Sequence, residues 1–418
     1  MTKISDQRKG PGLDHVLELT VTEVAHGGWC VARITGVGPQ DQDRGKVVFV
    51  RHALPGERIR AKLTSSTSRF ARADAIEILE PSADRVEPPC RYARPGGCGG
   101  CDLQHAAPAA QRALKAQVVA QQLRRIAGID REVEVEALPG PEAGPGLGWR
   151  TRVGFAVSSG GLAGLRKHRS REVAAIDDCL IAHPLVREAG ILQQRWPGAQ
   201  SVEVAVSPAS GERSVTVKGP ARIAQPGRRS LTQHAAGRTW RVSNGVFWQG
   251  HPAAADTLAA AVLAALDAQP ADAALDLYCG AGLFAGVLAG AVGPSGLVTG
   301  IESEVAAVRD ARKNLAAFPQ VRIHRGDATD VLEQRGLAGA TLAVLDPPRT
   351  GATPRLIELL ADPSGPLRRI AYVSCDPATL ARDIAAFAAL GWQLTALRAF
   401  DTFPMTHHIE CLATLTRS

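Results

Sequence analysis

Along the first eighty residues apolar and polar positions alternate in short runs, and turn residues separate one run from the next. The runs 15–24, 29–34, 46–50, 57–63 and 72–79 read as strands, with Gly27-Gly28 and Pro55-Gly56 as turn pairs between them. Five short strands in one segment predict a small barrel of the OB type. The period then lengthens: Leu114, Val118, Leu123 and Ile126 recur at roughly helical spacing and predict a helix over 108–126. Further runs at 151–157, 201–206 and 213–218, with a helix expected near 183–196, describe an antiparallel α+β region.

After Ala271 the texture changes again. Apolar runs at 273–278, 297–302, 321–325, 341–345, 369–374 and 392–399 are separated by helix-length stretches, the signature of a doubly wound α/β sheet. A last run at 409–416 follows too closely for a crossover helix, so the final pair is expected to be antiparallel. The chain thus divides into an OB-like barrel at 11–80, a central α+β section at 81–240 and an α/β domain at 241–418.

A length of 418 residues accommodates two or three such domains. The 48 Lys and Arg against 41 Asp and Glu leave a charge of +7, which favours a polyanionic partner. Basic residues gather at Arg58, Arg60, Lys62, Arg69 and Arg72, and again in Arg166-Lys167-His168-Arg169-Ser170-Arg171. Both clusters lie outside the α/β domain, as in an enzyme that grips nucleic acid with accessory modules. Met1–Gly10 has no apolar segment of the signal-peptide kind and no run of about 18 apolar residues follows, so a cytoplasmic protein without a membrane partner is expected. In that compartment the eight cysteines read as free, catalytic or metal-bound rather than as disulfides.

The chemistry-bearing residues fall at the carboxyl ends of the α/β strands. Leu275-Asp276-Leu277-Tyr278-Cys279-Gly280-Ala281-Gly282 places a glycine turn after the first strand, where backbone can approach a ligand, and its glycine spacing departs from the dinucleotide pattern. Glu302 ends the second strand, where a carboxylate can accept ribose hydroxyls, and Asp327 ends the third. Asp346-Pro347-Pro348-Arg349 closes the fourth with a stiff loop. In Ser374-Cys375-Asp376-Pro377, Asp376 suits an N-cap and Pro377 the first helical position. Cys375 is therefore expected beside free N–H groups at the positive end of a helix dipole, a setting that favours thiolate. Upstream, Cys90, Cys98 and Cys101 form a glycine-rich cluster, with Cys179 as a fourth candidate ligand. These residues allow a zinc set, with His183 able to replace one thiolate.

These strand ends together resemble the class I S-adenosylmethionine methyltransferases. With Phe247-Trp248-Gln249 upstream and Phe403-Pro404-Met405-Thr406-His407-His408-Ile409-Glu410 downstream, the ordered motifs are similar, over nearly the whole chain, to the RNA uracil-5-methyltransferase family. The resemblance implies a TRAM-type barrel, a [4Fe-4S] cluster on Cys90, Cys98, Cys101 and Cys179, and a class I methyltransferase domain. It further implies S-adenosylmethionine held by Gln249, Tyr278, Gly280, Glu302, Asp327 and Asp346, with Cys375 as nucleophile and Glu410 as base. His408 either orients that carboxylate or makes a structural hydrogen bond. Structured RNA, ribosomal rather than transfer, is the implied partner. Leu283 and His251 stand where the family often has Asn, so cofactor contacts there can differ. The alternatives are methylation of transfer-RNA uracil, methylation of RNA cytosine at carbon 5, and a non-catalytic iron–sulfur RNA-binding protein. Arg349, where the cytosine enzymes usually carry a cysteine, weighs against the second, and the pairing of Cys375 with Glu410 weighs against the third.

Overall fold

A computed structural model describes residues 15–35, 44–140, 144–219 and 228–417; the polar stretch Met1–Gly10 lies outside them. The chain forms two compact units.

The first unit comprises the described residues up to Val118, with Leu165–Ala174 and Pro404–His407. Strands β1 (Val16–Ala25), β2 (Trp29–Arg33), β3 (Val47–Arg51), β4 (Arg58–Ser66) and β5 (Phe70–Glu80) close a barrel in the order β1-β2-β3-β5-β4. Alternation decides which side chains fill it: on β4, Ile59, Ala61 and Leu63 point inward while Arg58, Arg60 and Lys62 point out. Closure also pairs the edges that an open sheet would expose. A second small core joins Val24 and Leu54 to Leu103, Ala106, Ala110, Leu114 and Val118, the last three on helix α1 (Pro108–Gln122). The cysteine loop packs closely on the basic run. Gly99 N–H donates to Arg166 O at 3.0 Å, and a Cβ on Gly99 would lie 2.4 Å from the His168 nitrogen, so only glycine fits there.

In the second unit α1 runs on into a π turn, Leu123–Ala127, near the predicted helix end. Along the chain follow strands β6 (Val135–Ala137), β7 (Arg152–Val157), β8 (Ala163–Arg166), β9 (Val173–Ala175), β10 (Ser201–Ser207) and β11 (Glu212–Lys218), of which Leu165–Arg166 and Val173–Ala174 belong to the first unit, and β10 pairs antiparallel with both β7 and β11. The helix expected over 183–196 is a single turn, α2 (Pro184–Arg187). Gly190, at φ +65°, turns the chain left-handed, and Ile191 and Trp196 are buried from the coil that follows. A hairpin of β12 (Ser230–Ala235) and β13 (Arg238–Ser243) precedes helix α3 (Ala254–Leu266). Its two-residue turn, Ala236-Gly237, has positive φ at both positions, the geometry that matches strand twist.

The main sheet contains β14 (Ala273–Leu277), β15 (Leu297–Glu302), β16 (Val321–Arg325), β17 (Leu342–Leu345), β18 (Arg369–Ser374), β19 (Trp392–Asp401) and β20 (Glu410–Arg417). Its order is β16-β15-β14-β17-β18-β20-β19-β6. The first five run parallel through crossover helices α4 (Leu283–Val292), α5 (Val305–Asn314), α6 (Ala328–Arg335) and α7 (Pro354–Leu360). Helix α8 (Pro377–Ala389) leads to β19, and β20 is antiparallel to both its neighbours, as the short gap required. Strand β6, only three residues long, adds in parallel to β19 and was not legible from period. Because β14 lies between β15 and β17, the winding reverses there and opens a crevice at the strands' carboxyl ends. Among the described residues no helix is long and apolar enough to cross a membrane.

Candidate active site

Past β14 the chain turns sharply. Tyr278, Gly280 and Gly282 all have positive φ, at 65°, 55° and 95°. A Cβ on Gly280 would meet nothing within 4 Å, so the glycine serves the backbone turn and leaves its face open to a ligand. Tyr278 holds the same sign of φ without that freedom, a local strain of the kind found at ligand sites. Glu302 is anchored beside this turn: Oε2 accepts the Gly280 N–H at 3.0 Å and Oε1 the Glu304 N–H at 2.8 Å. A carboxylate has lone pairs to spare beyond these two bonds.

Asp276, passed over in the sequence, is fully buried in the same motif. Its Oδ2 accepts the Ala285 N–H at 2.6 Å in the first turn of α4, whereas among the described residues Oδ1 has no hydrogen-bond partner. Burial drives its pKa well up against that one hydrogen bond, and the charges of Asp346 and Glu302 add to the rise. Asp327 has a different task. It caps α6, accepting from the N–H groups of Thr329 and Asp330 at 2.8 and 3.4 Å. Gln249 is buried, and the next carbonyl, of Gly250, accepts from Thr151 N–H and Oγ1 at 2.9 and 2.8 Å. His251 stacks on Trp149 with ring centres 6.1 Å apart, and burial lowers its pKa to about 4, leaving it neutral.

Register brings the reacting groups together. Ser374 on β18 faces Cys411 on β20, so Cys375 and Glu410 emerge at the same end of adjacent strands. On the other side Leu345 pairs with Tyr372, which sets Asp346 next to them. Asp376 caps α8 as expected, its Oδ1 accepting from Ala378 and Thr379 N–H at 3.0 and 2.9 Å. That cap occupies the donors expected to stabilise a thiolate. Burial, and next the negative charge of Glu410, push the Cys375 thiol up to about 11, while Arg349 opposes them by its charge and a hydrogen bond. The resting group is a thiol, not the thiolate the local sequence predicted. Glu410 is 4% exposed, and burial, with the charge of Asp346 adding to it, raises its pKa well above the usual carboxylate range. Asp346 is raised to about 7 by burial. Arg349 is the cation among these acids, with Nη2 3.3 Å from His408 Nε2. The His408 ring in turn packs edge-on against Phe403 at 5.9 Å.

Known proteins match both ends of the chain. The family profile described as tRNA (Uracil-5-)-methyltransferase matches residues 229–418, and the TRAM domain profile matches residues 15–76. A Streptomyces avermitilis protein named as an uncharacterized RNA methyltransferase is 47% identical, covering 95% of this chain and 97% of its own. The 23S rRNA (uracil(1939)-C(5))-methyltransferase RlmD of Acidithiobacillus ferrooxidans is 32% identical over 89% of this chain and 93% of its own.

The chain belongs to the RNA uracil-5-methyltransferase family.

The fold agrees. The crystal structure of Pyrococcus abyssi tRNA (uracil-54, C5)-methyltransferase with S-adenosyl-L-homocysteine superposes with a TM-score of 0.70, covering 95% of this chain and 99% of that one at 21% identity. The main sheet is therefore the class I methyltransferase fold and the N-terminal barrel a TRAM domain.

In this family member the loop bearing Arg349 is latched to the helix that follows Cys375. Thr379 Oγ1 donates to Arg349 O at 3.0 Å, and Arg382 Nη2 donates to Thr350 O at 2.8 Å. Buried Asp383 accepts from Ala352 N–H at 2.9 Å and from the Tyr372 hydroxyl at 2.5 Å. Gly351, at φ +79°, lies so close that a Cβ would sit 2.3 Å from Thr379 Cγ2. Sequence singled out neither Tyr372 nor Asp383, since each reads as ordinary strand or helix interior.

None of the four cysteines proposed as ligands is in a disulfide; Cys90, Cys98 and Cys101 are half-buried and Cys179 is buried. Gly100 N–H donates to Cys98 Sγ at 3.4 Å and Cys90 N–H to Gln104 Oε1 at 3.1 Å. Their chemistry suits a soft metal or an iron–sulfur cluster. Among the described residues, however, no group of three or more His, Cys, Asp or Glu is gathered to hold a metal ion.

Proposed function

We propose that this protein methylates carbon 5 of uridine in ribosomal RNA through a covalent adduct on Cys375. The observation that carries the reading is the placement of Cys375, Arg349, Asp346 and Glu410 at the ends of three neighbouring strands, each perturbing the next. Uracil carbon 5 becomes nucleophilic once a thiolate adds at carbon 6. Cys375 Sγ forms that bond after its S–H proton has passed to solvent, and Arg349 is the group positioned to favour the thiolate. S-adenosylmethionine supplies the electrophilic methyl group. The carboxylate form of Glu410, reached once its own proton has passed to solvent, takes the proton from carbon 5; the S–C6 bond breaks, the C5–C6 double bond reforms, and the released thiolate regains a proton from solvent. A carboxyl with raised pKa is a stronger base for this step than an exposed one. Tyr278, Gly280, Glu302, Gln249 and Asp346 hold the cofactor. Asp276 steadies the turn and Asp327 acts chiefly through its helix.

Ribosomal RNA is favoured over transfer RNA because two relatives named as 23S rRNA methyltransferases span nearly the whole chain at 32% and 29% identity. Nothing in this chemistry requires an electron, so a [4Fe-4S] cluster on Cys90, Cys98, Cys101 and Cys179 would be structural, in a cytoplasmic protein. Anaerobically purified protein is then brown, with about four irons per chain; colourless, active protein with stoichiometric zinc refutes the cluster. The RNA assignment is tested by mapping 5-methyluridine in RNA from a strain lacking the protein. Loss of one site in ribosomal RNA supports it, and loss confined to transfer RNA overturns it.

A further inference from the structure

The arginines of the barrel are not equivalent. Arg58 bridges Glu18 and Glu80, and Arg60 pairs with Glu77 at 3.0 Å, so the β1–β4–β5 side of the barrel is largely neutralised by its own carboxylates. The β3–β5 side is different. Phe49 faces Arg72 across the parallel β3–β5 pairing, and the Phe49 and Phe70 rings meet edge-on at 5.6 Å. The Arg72 guanidinium lies 4.8 Å from the Phe70 ring centre and 5.7 Å from that of Trp29. Arg169, from the second basic run, covers the same indole at 5.6 Å, and His168 meets its edge at 5.4 Å. Among the described residues neither Arg72 nor Arg169 has a carboxylate partner.

We infer that this row of Phe49, Phe70, Arg72, Trp29 and Arg169 is the face on which the first unit receives single-stranded RNA. The half-buried Phe49 and Phe70 rings offer stacking surface to an unpaired base, while Trp29, itself buried, seats the Arg72 and Arg169 guanidiniums that offer phosphate contacts; stacking and cations are the two ingredients of single-strand recognition. A duplex hides its base faces and would use only the cations. Arg58 and Arg60 would first have to break their ion pairs, so they contribute little. The inference rests on the RNA reading above and adds which face, and which strandedness, the barrel serves.

The test titrates the full-length protein with a short labelled single-stranded RNA and with its duplex across a salt series. The Arg72→Gln, Arg169→Gln double variant should bind the single strand at least tenfold more weakly, its log–log salt slope flatter by about 1.4. Phe70→Leu should lose roughly fivefold or more for the single strand with the slope and the duplex affinity unchanged. Arg60→Gln should stay within about twofold of the unaltered protein. Equal losses in Arg60→Gln and the double variant, or no loss in the double variant, overturn the assignment. Arg72→Lys, which keeps the charge and loses the planar stack, carries the same comparison should the double variant fail to fold. Formation of 5-methyluridine by the unaltered protein is read in parallel. Its absence would strike the uracil reading alone, whereas normal product with unaffected variants would strike this face alone.

Discussion

Two glutamates, one in the barrel and one in the methyltransferase sheet, are almost equally hidden from water and are treated in opposite ways. Glu57 is fully buried, yet its carboxylate accepts from Arg85 Nη2 at 2.7 Å, Leu54 N–H at 2.8 Å and Ser82 N–H at 3.1 Å. Burial alone would raise its pKa; these donors outweigh burial and hold it below the usual 4.5. Among the described residues no hydrogen-bond donor reaches the Glu410 carboxyl, whose nearest charges are Asp346 and Arg349, and its pKa goes up. A buried acid whose lone pairs are filled by its own fold is structural; one left unfilled beside a thiol and a cation is kept for a substrate. The pH consequences have opposite signs. Glu57 binds fewer protons folded than unfolded, so its stabilisation is present above about pH 4.5 and is lost as pH falls through its folded pKa. Glu410 holds its proton when folded, so it increasingly disfavours folding as pH rises above 4.5.

The largest break in this contrast should come from Glu57→Gln. Arg85, mostly shielded from water, would keep its charge and lose its carboxylate partner, at a cost of about 3 kcal/mol by urea unfolding. A loss under about 1 kcal/mol would mean that the pair is not the barrel's structural anchor.

Next in size is the latch. Asp383→Asn should cost about 1–3 kcal/mol by removing a charged acceptor from the Tyr372 hydroxyl and the Ala352 N–H. By loosening Arg349 it should also slow alkylation of Cys375 at pH 8, as Arg349→Gln does directly. The sign follows from Arg349 lowering the thiol's pKa: without it the thiolate fraction falls, by about tenfold for each unit of rise. Unchanged alkylation in Arg349→Gln would remove the arginine from the thiol's environment.

Glu410→Gln should have the smallest effect on stability, close to the unaltered protein at pH 5 and shifting in the variant's favour as pH rises. A variant that becomes relatively less stable with rising pH would show that Glu410 is ionised in the resting fold.

Much of this arrangement was legible in the sequence because the inner parallel strands are largely buried and appear as mostly apolar runs. The runs at 297–302 and 369–374 coincide with β15 and β18, whereas 321–325 coincides with the edge strand β16, where Val321 and Ile323 alternate with Arg322 and His324. What escaped was set by tertiary contact rather than period. Strand β6 is too short to carry a pattern, and the β12–β13 hairpin turns on an Ala-Gly pair rather than Asn-Gly. Asp327 shows the limit at the site: sequence placed it at a strand end among the cofactor residues, while its use as the α6 cap depends on where the backbone N–H groups point. Asp376 caps its helix as the sequence predicted, but burial of Cys375, and next the charge of Glu410, reversed the expected sense of the thiol's pKa shift.

The order of proton and methyl transfer is the centre of the account, and Glu410→Gln tests it most directly. With labelled RNA and S-adenosylmethionine on a denaturing gel, Cys375→Ala should give neither product nor adduct. Glu410→Gln retains the thiol and the methyl donor but has no base for the carbon 5 proton, so methylated RNA should accumulate as a shifted band attached through Cys375. Release of methylated RNA by Glu410→Gln at the unaltered rate, without that band, would contradict the account.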